Sequence, residues 1–318
     1  MEEYSVYRDI QARTGGEIYL GVVGPVRTGK STFIKRFMEQ MVLPGITDEH
    51  QKNRTRDELP QSAAGKTIMT TEPKFVPKEA ARIELGEDTA VKVRLVDCVG
   101  FMTEGASGHM ENEKERLVKT PWFEESIPFT MAAEIGTRKV IRDHSTIGLV
   151  VTTDGSFGEL ERQAYIKPEE TAVRELQEIG KPFLVLLNSS RPYSEETRNL
   201  ARELETKYGV CVMPVNCEQL KAGDIYQILK QVLFEFPVTE VDFQIPKWLE
   251  ILPASHWLKQ QAVKAARNAM SHIRRMKDFR DSWKDEEAEA VNSMETGRMD
   301  LSNGKVTVRM LFEDGYYY

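Results

Sequence analysis

The run Gly24-Pro25-Val26-Arg27-Thr28-Gly29-Lys30-Ser31 constrains this chain more than any other feature. It reads as glycine, four residues, glycine, lysine, serine, the pattern of a phosphate-binding loop. Its flanks agree with that reading. Residues 17–23 are a β-rich apolar run, and Thr32 to Met41 place Phe33, Ile34, Phe37, Met38 and Met41 on one helical face. Strand, glycine loop and helix in that order aim backbone N–H groups and the positive end of a helix at an anion. Gly24 and Gly29 permit backbone angles that a Cβ opposes. The expected nucleotide contacts are Gly24, Pro25, Val26, Arg27, Thr28, Gly29, Lys30, Ser31 and Thr32. Lys30 would reach the β- and γ-phosphates, and the Ser31 hydroxyl would ligate Mg²⁺.

Two further segments complete a nucleotide site. The polar stretch Asp48 to Lys66 reads as an exposed loop and runs into Thr67-Ile68-Met69-Thr70-Thr71-Glu72-Pro73. Thr70 and Thr71 precede an extended segment and are candidate sensors of a γ-phosphate, with Thr71 as a second Mg²⁺ ligand. The competing reading is a Thr-rich turn that starts a strand. Residues 91–97 alternate as a strand and end in Asp97, followed by Cys98, Val99 and Gly100. Asp97 at a strand end beside the loop is the expected Mg²⁺ carboxylate. The Gly100 N–H is the expected γ-phosphate donor, and Cys98 a buried filler.

The base-reading strand, residues 181–188, ends in Asn188-Ser189-Ser190-Arg191. A GTPase would carry Asn-Lys-x-Asp there. The missing carboxylate removes guanine hydrogen bonds worth about 1.5–3 kcal/mol each, and Arg191 presents donors toward donors. ATP with Mg²⁺ is the expected cofactor pair, and Asn188 joins the nucleotide contacts. Residues 146–152 and 210–215 supply more strands. Helices are expected from Pro168 to Ile179, from Ser194 (as N-cap) to Tyr208, and from Leu220 to Glu235. The alternation gives right-handed crossovers and a doubly wound α/β sheet.

Composition narrows the function classes. With 43 Lys and Arg against 50 Asp and Glu, a net charge of −7 disfavours nucleic acid. No apolar run approaches a bilayer span of about 20 residues. Three scattered cysteines fit neither a disulfide framework nor a zinc site, and a reducing cytosol is the expected compartment.

The order of these motifs is similar to that in the translation-factor branch of P-loop GTPases. Within that branch the chain resembles the stage IV sporulation protein A family. Gly24 to Met38, Thr70 to Pro77, Leu95 to Phe101 and Ala133 to Ile141 carry the likeness. The resemblance implies an ATPase that polymerises as the basement layer of the spore coat, in the mother cell at the outer forespore membrane. It implies Lys30 as the phosphate lysine, Asp97 as the Mg²⁺ carboxylate, and Thr70 and Thr71 as the sensor. It also implies coat proteins and a small membrane-anchoring peptide as partners, the peptide docked by a C-terminal domain of longer members. The chain is expected to be a fragment or a shortened relative, with an ATPase domain at 1–237 and an α+β middle domain at 238–318. A nucleotide-binding scaffold without turnover and a translation-type GTPase are the alternatives.

Other segments carry weaker signals. Phe101 to Ser145 reads either as a second switch or as a surface insertion. Arg138 is a candidate internal arginine finger, with helix capping or solvation as the alternative. Phe101-Met102-Thr103-Glu104 lacks a Gln or His to position water, which implies slow turnover. Residues 238–245 alternate as a strand. Ala254 to about Val291 reads as one long helix, basic on its outer face, either solvated or against lipid. Asn303-Gly304 marks a hairpin. Exposed strand edges make this module the expected self-association surface.

Overall fold

The computed structural model describes residues 2–60, 72–84, 90–106, 110–111, 114–157, 160–279, 283 and 288–316. Thr70 and Thr71 lie outside the described residues. The chain divides into two units, Met1–Val232 and Leu233–Tyr318.

The first unit is built on a six-stranded sheet. Its strands are β1 (Glu17–Val23), β2 (Lys74–Glu84), β3 (Ala90–Asp97), β4 (Ile147–Thr153), β5 (Phe183–Asn188) and β6 (Val212–Val215). They stand in the order β6-β5-β4-β1-β3-β2. All neighbours are parallel except β2, which runs antiparallel to β3 at the edge. The central strands β4 and β5 are buried at every residue and largely apolar because both sheet faces are covered, with Thr152, Thr153 and Asn188 as buried polar residues at their carboxyl ends. The order reverses around β1, and the glycine loop leaves its carboxyl end, the position where open α/β sheets bind ligands.

Several expected boundaries move. Asp48 to Lys66 is not all loop: Asp48 accepts the His50 N–H at 2.9 Å and caps a helix, Glu49–Asp57. Only Thr55 in it is buried, so the segment has no apolar stripe by which to announce itself. The helix expected from Pro168 begins at Arg162 and carries Pro168 inside it. Arg162 grips the buried Glu169 with both terminal guanidinium nitrogens, Nη1 and Nη2, and Tyr208 donates to the same carboxylate at 2.6 Å. An N-terminal helix, Glu2–Thr14, also forms and buries Ile10.

The second unit holds a three-stranded sheet of β7 (Glu240–Gln244), β8 (Val291–Asp300) and β9 (Lys305–Phe312). The order is β7-β9-β8, with β7 parallel and β8 antiparallel to β9. The hairpin expected at Asn303-Gly304 joins β8 to β9. Asp300 organises it by accepting N–H bonds from Ser302 at 3.0 Å and Asn303 at 3.3 Å. The long helix expected to Val291 is corrected: it spans Trp257–His272 only. Ile273 turns extended, and the Asp278 carboxylate takes the N–H groups of Arg274 and Arg275 at 2.8 Å each. Those donors are thereby removed from a continuing helix. The core gathers Leu258, Ala262, Ala265 and Ala269 from the helix with Met294, Val306 and Val308 from the sheet. Glu235, buried beside it, is paired with Arg275 at 2.7 Å and Lys277 at 3.0 Å.

Candidate nucleotide site

The loop after β1 wraps tightly because its backbone is held from three sides. Gly29 stands at φ +98° and caps the helix Lys30–Phe37; a Cβ there would lie 2.5 Å from Asn188 Nδ2. Arg27 is also left-handed at φ +65°, and alternation of hand along a loop makes a concave row of amides. The Thr28 hydroxyl donates to Val151 O at 2.6 Å, tying the loop to β4. Val26 N–H donates to Phe101 O at 3.0 Å, and Phe101 N–H to Gly24 O at 3.1 Å. The segment after Asp97 is thus paired directly with the loop.

The charged groups sit inside this frame. Lys30 is buried, and its Nζ donates to Pro25 O at 2.5 Å. Burial pulls its pKa down, while the nearby Cys98 and Asp97 oppose that shift. Asp97 is raised by burial, against the Ser31 hydrogen bond and the Lys30 charge. Ser31 Oγ donates to Asp97 Oδ2 at 2.8 Å. Asp97 Oδ1 is buried without a hydrogen-bond partner.

That orphaned oxygen tests the fit to a metal. A hydroxyl and a carboxylate at one strand end, with one carboxylate oxygen unspent, suit a hard cation such as Mg²⁺, which retains waters and substrate oxygens. Among the described residues no three His, Cys, Asp or Glu side chains gather into a metal cage. A site of this kind does not need one, because the nucleotide supplies ligands.

The other expected site residues fall in different places. Asn188 is buried at the end of β5, where Nδ2 donates to Thr28 O at 3.0 Å and Oδ1 accepts Cys217 N–H at 3.0 Å. It braces the loop from below. Arg191 is exposed, and its N–H donates to Ser189 Oγ at 3.0 Å. Thr32 is half-buried on the first turn of the following helix. Arg138 lies on the helix Phe129–Lys139 and is engaged by Glu175 at 2.8 Å and Glu134 at 3.6 Å. Its guanidinium is committed to that network, so a role as arginine finger requires those pairs to part. Cys98 is buried and its thiol is pushed up to about 11, as suits a packed, protonated side chain.

One residue was not singled out from sequence. Thr137 is buried, and its Oγ1 accepts the Gly100 N–H at 3.2 Å. No motif signals this, because the two residues meet only when the helix Phe129–Lys139 folds against the end of β3.

The family model for the stage IV sporulation protein A ATPase domain matches residues 1–237, and that for the middle domain of the same protein matches residues 238–318. The chain belongs to the stage IV sporulation protein A family. Stage IV sporulation protein A of Bacillus anthracis is 47% identical over 318 residues, 100% of this chain and 65% of its own length. The proteins of that name from Bacillus subtilis (strain 168) and Clostridioides difficile (strain 630) are each 46% identical, over 100% and 99% of this chain. The chain spans 65%, 65% and 64% of these three relatives. The nucleotide site described above lies wholly within the part matched by the ATPase domain. Among the described residues, no helix is long and apolar enough to cross a membrane.

Proposed function

We propose that this chain binds ATP with Mg²⁺, hydrolyses it to ADP and phosphate, and uses the event to assemble with further copies of itself. The observation that carries this reading is the Ser31–Asp97 pair, at 2.8 Å, under a glycine loop that also holds the buried Lys30. Lys30 would leave Pro25 O for the β- and γ-phosphates. Ser31, Thr71 and Asp97 would hold the metal, which neutralises charge on the phosphate oxygens. Adenine is favoured over guanine because Arg191 stands where guanine recognition needs a carboxylate.

The family supplies the biological frame. The assembly would form the basement layer of the spore coat, on the mother-cell side of the forespore. Coat proteins and a small membrane-anchoring peptide would be the partners, the peptide through a part of the relatives beyond the matched span. Strand β7 offers a sheet edge in the second unit for assembly, whereas β8 is bridged at Met294 by Trp283.

A scaffold that binds ATP with little turnover is the second reading. It is favoured by Phe101, which follows Gly100, is buried, and places no water-positioning group there. Phosphate release decides between the two. Hydrolysis of ATP but not GTP, lost in Lys30→Ala, with pelleting of the wild type only, supports the ATPase. Pelleting with ATP but no phosphate release supports the scaffold. Equal or better use of GTP overturns the nucleotide assignment.

A further inference from the structure

Gly100 is the residue whose amide the nucleotide reading assigns to the terminal phosphate. It sits hard against the glycine loop. At φ +98°, a Cβ on it would lie 2.2 Å from Gly24 O and 2.7 Å from Lys30 Nζ. The residue is therefore packed beside the ammonium that would hold the same phosphate. It is not idle, for it donates to Thr137 Oγ1 at 3.2 Å in a buried setting.

The threonine hydroxyl is set up as an acceptor. Its single proton goes to Ala133 O at 2.8 Å, one turn back along the helix Phe129–Lys139. That leaves only lone pairs facing Gly100. The helix itself is held on another face, since Glu175 binds Arg138 at 2.8 Å and Arg142, in the turn that follows, at 3.0 Å. Thr137 thus offers its oxygen from an anchored element.

We propose that Thr137 is a specificity-determining residue for the length of the phosphate chain. Its hydroxyl competes with a γ-phosphate for the Gly100 N–H. A nucleoside diphosphate leaves the Gly100–Thr137 bond intact. A triphosphate takes the N–H and must displace Thr137, so the terminal phosphate is read as a choice between two acceptors. The bond links the segment after β3, itself paired with the phosphate loop through Phe101, to the helix that carries Arg138, and exchanging it would release that helix from Gly100. This inference rests on the nucleotide reading given above.

The test compares the full chain with Thr137→Val and Thr137→Ser by calorimetry, using a non-hydrolysable ATP analogue and ADP, each with Mg²⁺. Valine keeps the branched shape and removes the competing oxygen. The phosphate then competes for the buried N–H only with the weak acceptor Cys98 Sγ, which the same amide also faces, so the analogue should bind about 3–10-fold more tightly. ADP affinity should stay the same, and the serine variant should match wild type. Thr137→Ala provides the same comparison where valine does not fold. An unchanged ratio of analogue to ADP affinity in valine and alanine variants overturns the inference. So does a ratio that falls, which would mean Thr137 supports the amide in its phosphate-bound position. Wild type binding neither nucleotide better than Lys30→Ala would remove the nucleotide reading itself, and the inference with it.

Discussion

Asn188 and Thr28 are 160 residues apart in sequence and joined by a buried hydrogen bond, Nδ2 to the Thr28 carbonyl at 3.0 Å. The same side chain accepts the Cys217 N–H, so one amide at the end of β5 ties the phosphate loop to the segment after β6. Asn188 is the last residue of β5 and is buried there. The bonds it makes here are structural supports for the loop.

Replacing Asn188 with Ala should therefore act on stability and on binding together. The Cys217 N–H and the Thr28 carbonyl would both be left unpaired in a buried region, costing about 2–4 kcal/mol. Urea unfolding should report that loss, and ATP affinity should fall about tenfold or more because the loop is no longer fixed. An Asn188→Ala protein with unchanged midpoint and affinity would contradict the assignment.

Asp97→Asn should separate stability from binding in the opposite sense. Burial raises the folded pKa of Asp97 above its unfolded value. Between those two values the folded state holds the extra proton, so stability declines as pH rises, and at pH 7 the buried carboxylate is a net cost. The amide removes that cost. Its melting temperature in nucleotide-free buffer at pH 7 should rise by about 2–4 °C per kcal/mol recovered, while the stabilisation by ATP and Mg²⁺ should vanish. A lower melting temperature would show that the charge contributes favourably to the fold.

Gly100→Ala should be poorly tolerated. The added carbon meets a main-chain oxygen, not a flexible side-chain tip, and the backbone is in the left-handed region. Destabilisation of about 2 kcal/mol or more is expected, with loss of ATP binding. Wild-type binding by this variant, measured by calorimetry, would place the glycine outside the site.

The thiols should differ in reactivity. Burial pushes Cys98 up to about 11 and Cys217 up to about 12, so neither is a thiolate at pH 8. Cys211 is only partly buried. A thiol-specific dye at pH 8 should label Cys211 first, and all three residues once urea unfolds the protein. Raising the pH toward 10 should speed the two buried sites only slightly, because access also limits them. Rapid labelling of Cys98 in the folded state would mean that the end of β3 opens readily.

Local chemistry made much of this protein legible before folding was considered. Glycines, a lysine and a serine at fixed spacing specify a phosphate loop, since its shape depends on a few adjacent backbone angles and amides. Runs of mostly apolar residues marked β1, β4 and β5, because strands covered on both faces bury nearly every side chain. Asp97 was readable as the end of an alternating run, residues 91–97. Where apolar pattern was missing or misleading, reading failed. The helix Glu49–Asp57 has almost no buried face, and the helix beginning at Trp257 ends where Asp278 diverts two amides that the periodicity would have used. Long-range partners were beyond reach altogether. Thr137 against Gly100, Asn188 against Thr28 and Arg138 against Glu175 are each set by how a helix or strand seats on the sheet. A hydrogen bond between residues 37 or 160 positions apart depends on that seating, and nothing in the neighbouring sequence encodes it.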